Sequence, residues 1–402
     1  MRRSNHTAAL LGAALLLACP ARDENGRSTA ATPEGKPAFD PHTPTVVEPP
    51  DTTLADARES AHHVVFADRT SQAYLLLLDG PSPKKPTRDE LAKLVTKRMP
   101  AAKYEAELGL LHKLVAAVPP PPGFEGLPED EKARLMQEDL LGLHIDIFPM
   151  APQGEEPLIA MELLTEPVLT RDLSPEEHAA LLTRKWAVLL RADYRNQYAV
   201  RGLRLLQTLV RVYAIEHKAF IHDPDTNETM STVSFTRRRL KATIGNIADQ
   251  IAVVPFPDDD GKMRLTTRGM RRFGSVDLEL HSLPRDPAIL DRASGLLLGV
   301  AYRMVREGEF NPQGFAVEAD DVIDVTRRDI EQAYAGHRAK LAPCDTCADP
   351  LPIHLVERAT KPTDAHEHVV ARVVAPRAES DAAEYDHGAW ALSAMDTLLG
   401  AQ

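Results

Sequence analysis

The sequence predicts an α+β fold built from mixed, largely antiparallel sheets with helices packed against them. Several segments place apolar residues at every second position, and many of these segments are separated by short turns, as in hairpins. Other segments repeat apolar residues at helical spacing. No Gly-x-Gly-x-x-Gly motif follows a predicted strand, which argues against a doubly wound dinucleotide-binding sheet.

Two capping boxes mark helix starts in the first half of the body. Thr87-Arg-Asp-Glu90 stands directly before an apolar helical pattern, so a helix is expected to begin there. Ser174-Pro-Glu-Glu177 is the second box, and its proline occupies the favoured first helical position. Between the two, four consecutive prolines at 119–122 predict a stiff break.

The centre of the chain changes its period. In the stretch "KWAVLLRADYR", every second residue from Trp186 to Tyr194 is apolar and falls on one face, which predicts a strand. Apolar residues then recur at helical spacing over 199–217. "KAFIHD" returns to strand character, and "PDTNET" is typical of a turn.

The second half shows the same mixture. "QIAVVPF" and "KMRLTT" flank Asp258-Asp-Asp-Gly261 and predict a hairpin, followed by a strand at "VDLELHSL". A long helix is expected to open at Asp286-Pro287, with Gly308 just beyond its end. "LPIHLVE" and "HVVARVVAP" predict two strands, and "GAWALSAMDTLLG" predicts a closing helix.

Composition and these patterns predict a division of the chain into five parts. They are a signal peptide at 1–18, a disordered tether at 19–60, an N-terminal α+β region at 61–170, a central α+β domain at 171–340 and a small β-β-α subdomain at 341–402. The tether is rich in Pro, Thr, Ala and charge and has no apolar period, so it cannot offset its chain entropy by burial.

The start of the chain has the parts of an export signal: Arg2 and Arg3, an apolar run over 8–18, and Leu-Leu-Ala directly before Cys19. This placement resembles the lipobox of bacterial lipoproteins, although Leu17 stands where a smaller residue is more usual. The resemblance implies cleavage before Cys19 and attachment of a diacylglycerol and an acyl chain such as palmitate to that residue. An ordinary signal peptide with a chance cysteine is the alternative.

The lipobox resemblance also implies a location. Pro20 replaces the aspartate linked to inner-membrane retention, which favours the outer membrane, facing the periplasm. Removal of 1–18 takes away two arginines and leaves 45 basic against 59 acidic residues, a net charge of −14. Such an acidic body is not expected to bind nucleic acid or anionic lipid surfaces, so the lipid must supply the membrane contact.

Cys344-x-x-Cys347 holds the two remaining cysteines. In an oxidising compartment this even pair of cysteines predicts a small structural disulfide. The alternative is a reduced pair without a structural role. Redox catalysis is disfavoured because no helix can begin directly after the motif. Zinc is another alternative, since His366 and His368 would share one strand face and complete a Cys2His2 set, with His354 as a further candidate ligand.

Two other groups of residues are candidates for a functional site, one for anion binding and one for general-base catalysis. Arg268, Arg271 and Arg272 surround glycines and predict an anion-binding site, with pairing to the chain's own acids, such as Asp277 or Glu279, as the alternative.

His222 precedes Asp223 in "IHDPDT", which offers a possible general base. Neighbouring strand residues point to opposite faces, however, and Asp-Pro-Asp-Thr is typical of a turn. The turn interpretation is therefore favoured.

The sequence contains no Gly-x-Ser-x-Gly, His-Glu-x-x-His or Walker motif, so no catalytic nucleophile can be identified for an enzymatic function. The expected function is that of a membrane-anchored envelope lipoprotein that binds or scaffolds, with an envelope protein or component as partner and no cofactor. The alternative is a zinc-dependent envelope enzyme that uses the Cys/His cluster or His222. The sequence alone does not decide whether the chain is an enzyme.

Overall fold

A computed structural model describes residues 64–99, 101–119, 140–152, 156–240, 246–309, 316–334, 350–364 and 368–401, with isolated positions 126, 128, 130, 341, 344, 345 and 347. These ranges contain ten α-helices and two large, mostly antiparallel sheets, which confirms the α+β fold. Cys19 and the segments predicted as a signal peptide and a tether lie outside the described residues.

Thirteen strands occur in the described ranges. They are β1 (Val65–Phe66), β2 (Arg69–Leu78), β3 (Leu140–Pro149), β4 (Trp186–Arg195), β5 (Phe220–Asp223), β6 (Glu228–Met230), β7 (Ala252–Pro257), β8 (Met263–Arg268), β9 (Asp277–Leu283), β10 (Val317–Glu318), β11 (Ile323–Val325), β12 (Leu351–Glu357) and β13 (Val370–Val374).

The helices pack around these strands. In chain order they are α1 (Arg88–Arg98), α2 (Ala101–Ala116), α3 (Met161–Thr165), α4 (Pro175–Leu181), α5 (Ala199–His217), α6 (Thr232–Phe235), α7 (Pro287–Glu309), α8 (Arg327–Ala333), α9 (Arg377–Ser380) and α10 (His387–Leu399). Within the described part of the chain, no helix is long and apolar enough to cross a membrane.

The first large sheet has five strands in the order β3-β4-β2-β5-β6, and all neighbours are antiparallel. The sequence patterns above do not predict β2 or β3. β2 is central, and its apolar run Tyr74–Leu78 is continuous instead of alternating because its two faces contribute to two different apolar clusters. A strand buried on both faces does not show the period of two on which the predictions rest.

The second large sheet has six strands in the order β11-β12-β13-β9-β8-β7. Its pairs are antiparallel except for β13 and β9, which run parallel. The short strands β1 and β10 form a separate antiparallel pair. The predicted hairpin of β7 and β8 and the strand β9 are confirmed.

Local signals set several helix ends as expected. Both capping boxes form, at Thr87 with Glu90 and at Ser174 with Glu177. The end of α7 differs from the prediction, because Gly308 lies inside the helix. A β-carbon at this position would stand 3.2 Å from the Asn196 side chain, so the glycine allows a close approach between α7 and the chain beyond β4.

One apolar core connects the two large sheets. α5 packs on β2 and β4, while α7 packs on β8 and β9 and also contacts α8 and α10. Buried residues of all these elements belong to a single cluster that runs from Val64 to Leu398. The proposed boundaries at 170 and 340 stay a prediction, although β2 from the first region pairs directly with β4 and β5 from the second.

The six-stranded sheet turns its other face away from α7. On β9, β12 and β13, the residues between those of the core point outward, because successive strand side chains alternate between the two faces. Core-facing members include Leu280, Leu355 and Val373. The outward members include Glu279, His281, His354, Val356, Arg372 and Val374.

Candidate binding cleft and buried arginine network

A cleft of about 680 Å³ lies on this outward face, between strands β9, β12 and β13 and the segment 377–387. We call it the histidine cleft. Its lining includes two guanidinium groups, three imidazoles and a phenol, contributed by His281, His354, Arg372, Arg377, Tyr385 and His387. The volume is within the range of roughly 300–1,000 Å³ that small-molecule sites occupy.

Two imidazoles stack at one end of the cleft. The rings of His281 and His387 lie 3.8 Å apart between centroids, with 5° between their planes. Burial, followed by the charge of Arg372, lowers the pKa of His281 to about 4. Burial, then His281 and Arg372, lowers the pKa of His387 to about 3. Both rings are therefore neutral at pH 7, which allows them to stack without charge repulsion.

A short hydrogen-bond chain orients Tyr385. The backbone N–H of His281 donates to Nε2 of His387 at 3.3 Å, so the hydrogen of this neutral ring is on Nδ1. Nδ1 lies 3.3 Å from the Tyr385 hydroxyl oxygen, which also accepts from the backbone N–H of Ala375 at 3.2 Å. The oxygen thus accepts twice, and burial raises the pKa of Tyr385 to about 12. Its own O–H remains available as a donor.

His354 orients Arg377 in the same manner. Nδ1 of His354 lies 2.7 Å from the carbonyl oxygen of Asp321 and must donate to it, which leaves Nε2 as an acceptor for Nε of Arg377 at 3.2 Å. Burial lowers the pKa of His354, which favours this neutral form. Nη2 of Arg377 also lies 3.2 Å from the Asp321 carboxylate.

Arg372 stands between the stacked rings and Glu279 without a hydrogen bond to any described residue. Its Nε lies 3.7 Å from Oε1 of Glu279, beyond hydrogen-bond distance, and is buried without a partner. Both Glu279 oxygens already accept from Arg358, at 2.9 and 2.7 Å, and Oε2 also accepts from Arg264 at 2.9 Å. The negative charge of this carboxylate is therefore shared with two other arginines, Arg264 and Arg358.

Ser282 contributes a strained position at the cleft wall. Its φ is 56°, in the left-handed region that non-glycine residues rarely adopt. Its N–H donates to Oδ2 of Asp258 at 3.0 Å, and its Oγ lies 2.8 Å from Nδ1 of His281. These two bonds hold the conformation, and strained residues of this kind cluster at binding and catalytic sites.

The arginines predicted to bind an anion lie elsewhere, in what we call the buried arginine network. Arg272 is fully buried, and its Nη2 donates to Asp223 at 2.9 Å and to Asp225 at 3.3 Å. Arg271 donates to Asp225 at 3.0 Å. Arg268 instead donates to the carbonyl oxygen of Thr363 at 2.9 Å.

The partners of Arg271 and Arg272 are the chain's own carboxylates, as in the alternative interpretation, but the acids differ from those suggested. Asp277 contacts His368, and Glu279 contacts Arg264 and Arg358.

The network continues into β6 and the segment after α6. Arg239 is 0 % exposed at its side chain and contacts Asp223 at 3.3 Å and Glu228 at 2.8 Å. Arg238 adds a second contact to Glu228 at 2.7 Å. Burial raises the pKa of Glu228, but Arg239 and Arg238 outweigh it and hold the value at about 2. These arginines therefore compensate carboxylates of the chain itself.

His222 lies in a packed environment beside this network. It is 2 % exposed, and its Nδ1 lies 2.9 Å from Oγ1 of Thr229 on the neighbouring strand. The residues after β5 form the expected turn, in which Asn227 has a φ of 58°. The histidine cleft does not include His222, so the suggested general base is not placed at that site.

Cys344 and Cys347 form the predicted disulfide, with their Cα atoms 5.6 Å apart. The pair lies at the end of α10, where Nη1 of Arg327 donates to Sγ of Cys347 at 3.5 Å. His368 instead contacts Asp277 at 2.6 Å at the start of β9.

The zinc set predicted as an alternative is not assembled by the residues that the structure describes. Cys344, Cys347 and His368 do not form a metal-binding group, and His366 lies outside the described residues. Disulfide sulfurs are not thiolates, which are the form that binds zinc. A zinc site here would first require reduction of the disulfide.

Among the residues that line the histidine cleft, the sequence patterns predict a role only for His354, as a further zinc ligand. His281 and His387 are 106 positions apart, and their stacking depends on how α10 docks against β9. A partial signal exists, because the outward positions of the predicted strands carry His281, His354 and Arg372. No protein-family model, curated protein or solved structure matches the chain.

Proposed function

We propose that the chain is a lipid-anchored lipoprotein of the bacterial cell envelope whose folded body binds a small polar ligand in the histidine cleft. The cleft is the observation that carries the binding role, because it combines a ligand-sized volume with oriented donors. The lipobox at Cys19 and the tether support attachment to the outer membrane with the body in the periplasm. An envelope protein that receives or supplies the ligand is the partner expected in this location.

Binding fits the cleft better than catalysis. A general base works best with a pKa near the working pH, whereas the pKa values of His281 and His387 are about 4 and 3. The rings would be weak bases at neutral pH. Their stacked faces and the fixed Tyr385 and Arg377 side chains suit the recognition of a molecule that leaves unchanged.

The anchor is tested by metabolic labelling of the full chain in a bacterial host with radioactive palmitate. We expect label and membrane association in the wild type and the loss of both in Cys19→Ser, because the thioether is the attachment point. Cys344→Ser is the matched control and should keep its label. Equal labelling of Cys19→Ser and the wild type would rule out the proposed anchor.

The binding role is tested by ligand-observed NMR with the full chain in detergent and a library of small polar compounds. Val356→Trp places a large ring in the cleft wall, and Val369→Trp makes the same change at an exposed valine outside the lining. We expect compounds that bind the wild type and Val369→Trp but not Val356→Trp. A library without any binder, or binders that Val356→Trp retains, would contradict the binding role.

A further inference from the structure

We infer that the histidine cleft recognises an anionic group, a carboxylate or a phosphate, through Arg372, Arg377 and Tyr385. The inference rests on the proposed binding role and names the chemistry of the ligand. It concerns different arginines from those of the buried arginine network, which hold the chain's own acids.

Arg372 supplies the first argument. Its charge lies at the cleft, its side chain is 38 % exposed, and no described residue accepts a hydrogen bond from it. The nearest carboxylate, Glu279, already pairs with Arg264 and Arg358, so its single negative charge is shared among several guanidinium groups. A guanidinium group that is left partly desolvated with its donors unused is stabilised by an incoming anion more than by a neutral ligand.

Arg377 supplies the second. The hydrogen bond from its Nε to His354 fixes the plane of the guanidinium group. Nη2 lies near the Asp321 carboxylate without hydrogen-bond geometry, and that carboxylate is 61 % exposed at the rim. Preorientation of this kind lowers the entropy lost on binding and suits the forked geometry by which arginine binds carboxylates and phosphates.

Tyr385 supplies the third. Its oxygen already accepts from His387 and from Ala375, so a ligand would meet only its O–H donor. Donors alone therefore face the ligand from Tyr385, Arg372 and Arg377. A cation would be repelled here, and an apolar ligand would displace water from these donors without replacing its hydrogen bonds.

Acidic residues of the lining do not reverse this preference. Asp381 is exposed at the rim, and Oδ1 of Asp386 accepts from the backbone N–H of Ala389 at the start of α10. At about 680 Å³ the cleft is much larger than one phosphate or carboxylate group. The anion is thus one end of a larger molecule, whose remainder contacts the stacked rings of His281 and His387.

The test is calorimetric titration of the full chain in detergent with inorganic phosphate, glycerol 3-phosphate and succinate, and with glycerol as a neutral probe. We expect at least one anion to bind and glycerol not to bind. Arg372→Met and Arg377→Met should each weaken anion binding at least tenfold. Arg303→Met is the matched control, because the Arg303 side chain is 40 % exposed and lies outside the cleft.

Circular dichroism checks that each variant is folded. If Arg377→Met does not fold, Arg372→Met decides alone, since no described residue accepts a hydrogen bond from Arg372. Vesicles that contain phosphatidylglycerol serve as a further probe. If the protein binds these vesicles and Arg372→Met weakens that binding, the anion is a lipid headgroup. If the protein binds only soluble anions, the anion belongs to a free molecule.

Two results would overturn the inference. One is anion binding that Arg372→Met and Arg303→Met change equally, and the other is the absence of binding by every anionic probe. If neutral compounds still bind and Val356→Trp still blocks them, the anion inference fails while the binding role stands. If no compound binds at all, both fail.

Discussion

The buried arginine network and the histidine cleft use the same side chain for opposite purposes. In the network, the side chains of Arg239 and Arg272 are 0 % exposed, and each contacts two carboxylates of the chain. In the cleft, Arg372 and Arg377 are 38 % and 39 % exposed. Arg372 lies near Glu279, which also pairs with two other arginines, and Arg377 pairs with Asp321 at the exposed rim. The difference lies in how the charge is compensated, not in the residue type.

Structural and binding arginines differ in how exposed the guanidinium group is and in how its charge is compensated. Nε and Nη1 of Arg239 and Arg272 also lack hydrogen-bond partners among the described residues, so unused donors by themselves do not identify a binding site. What distinguishes the cleft is a guanidinium group that solvent and ligands can reach, and whose nearby carboxylate is either shared with other arginines or exposed to solvent. Removal of a network arginine should damage the fold, whereas removal of a cleft arginine should damage binding.

The largest expected effect is that of Arg272→Met. Loss of this guanidinium group leaves Asp223 and Asp225 buried with too little positive charge, which costs about 3–5 kcal/mol of the free energy of unfolding. Arg372→Met is the comparison and should cost less than about 0.5 kcal/mol. Urea denaturation followed by circular dichroism measures both. Equal losses in the two variants would remove the distinction between the regions.

Acid should weaken the network through Glu228. Its folded pKa of about 2 lies below the ordinary value of 4.5, so the folded state binds fewer protons than the unfolded state between these values. The stabilisation is complete above pH 4.5 and is lost as the pH falls toward 2, by about 3 kcal/mol.

Urea midpoints measured across this pH range provide the check. Glu228→Gln should be less stable than the wild type at pH 7 and should lose the contribution of residue 228 to the acid transition. The exposed Glu357→Gln serves as the control and should behave as the wild type. An unchanged acid profile in Glu228→Gln would refute the assignment.

The cleft should respond to acid earlier. His387 has a folded pKa of about 3 against an ordinary value of 6.5, so its stabilisation is complete above pH 6.5 and is lost as the pH falls toward 3. We therefore expect the free energy of unfolding to begin to fall below pH 6.5, above the range in which Glu228 titrates.

His387→Phe keeps a flat ring and cannot be protonated. Its urea midpoint should stay flatter than that of the wild type between pH 6.5 and the range where Glu228 titrates. An identical pH dependence in the two proteins would mean that His387 does not control this window.

A small effect is expected for the disulfide, which belongs to neither region. Its chain-entropy contribution is at the low end of the usual range because only three positions separate the cysteines, so Cys344→Ser with Cys347→Ser should cost about 1 kcal/mol. Anion affinity should not change. A thiol assay on the Cys19→Ser protein should find no free thiols. If the Cys19→Ser protein binds zinc and the double variant loses it, the zinc-site alternative would be supported instead.

Much of the fold follows from local patterns in the sequence. The caps at Thr87 and Ser174, the period of β4 and the apolar stripe of α5 each depend on neighbours within a few residues, and each forms as expected. The sequence patterns do not predict the central strand β2, because burial on both faces removes the alternation of apolar and polar residues. The disulfide was predictable because both cysteines lie in one short motif.

The α+β class, most element boundaries in the central region, the acidic charge and the cysteine pair all follow from the amino-acid sequence, because they depend on composition or on residues close in the chain. Which arginines meet carboxylates depends instead on the tertiary structure. Arg272 meets Asp223 across 49 positions, and His281 meets His387 across 106. Such contacts depend on strand order and helix docking, which are set by packing of the whole core and not by any local pattern.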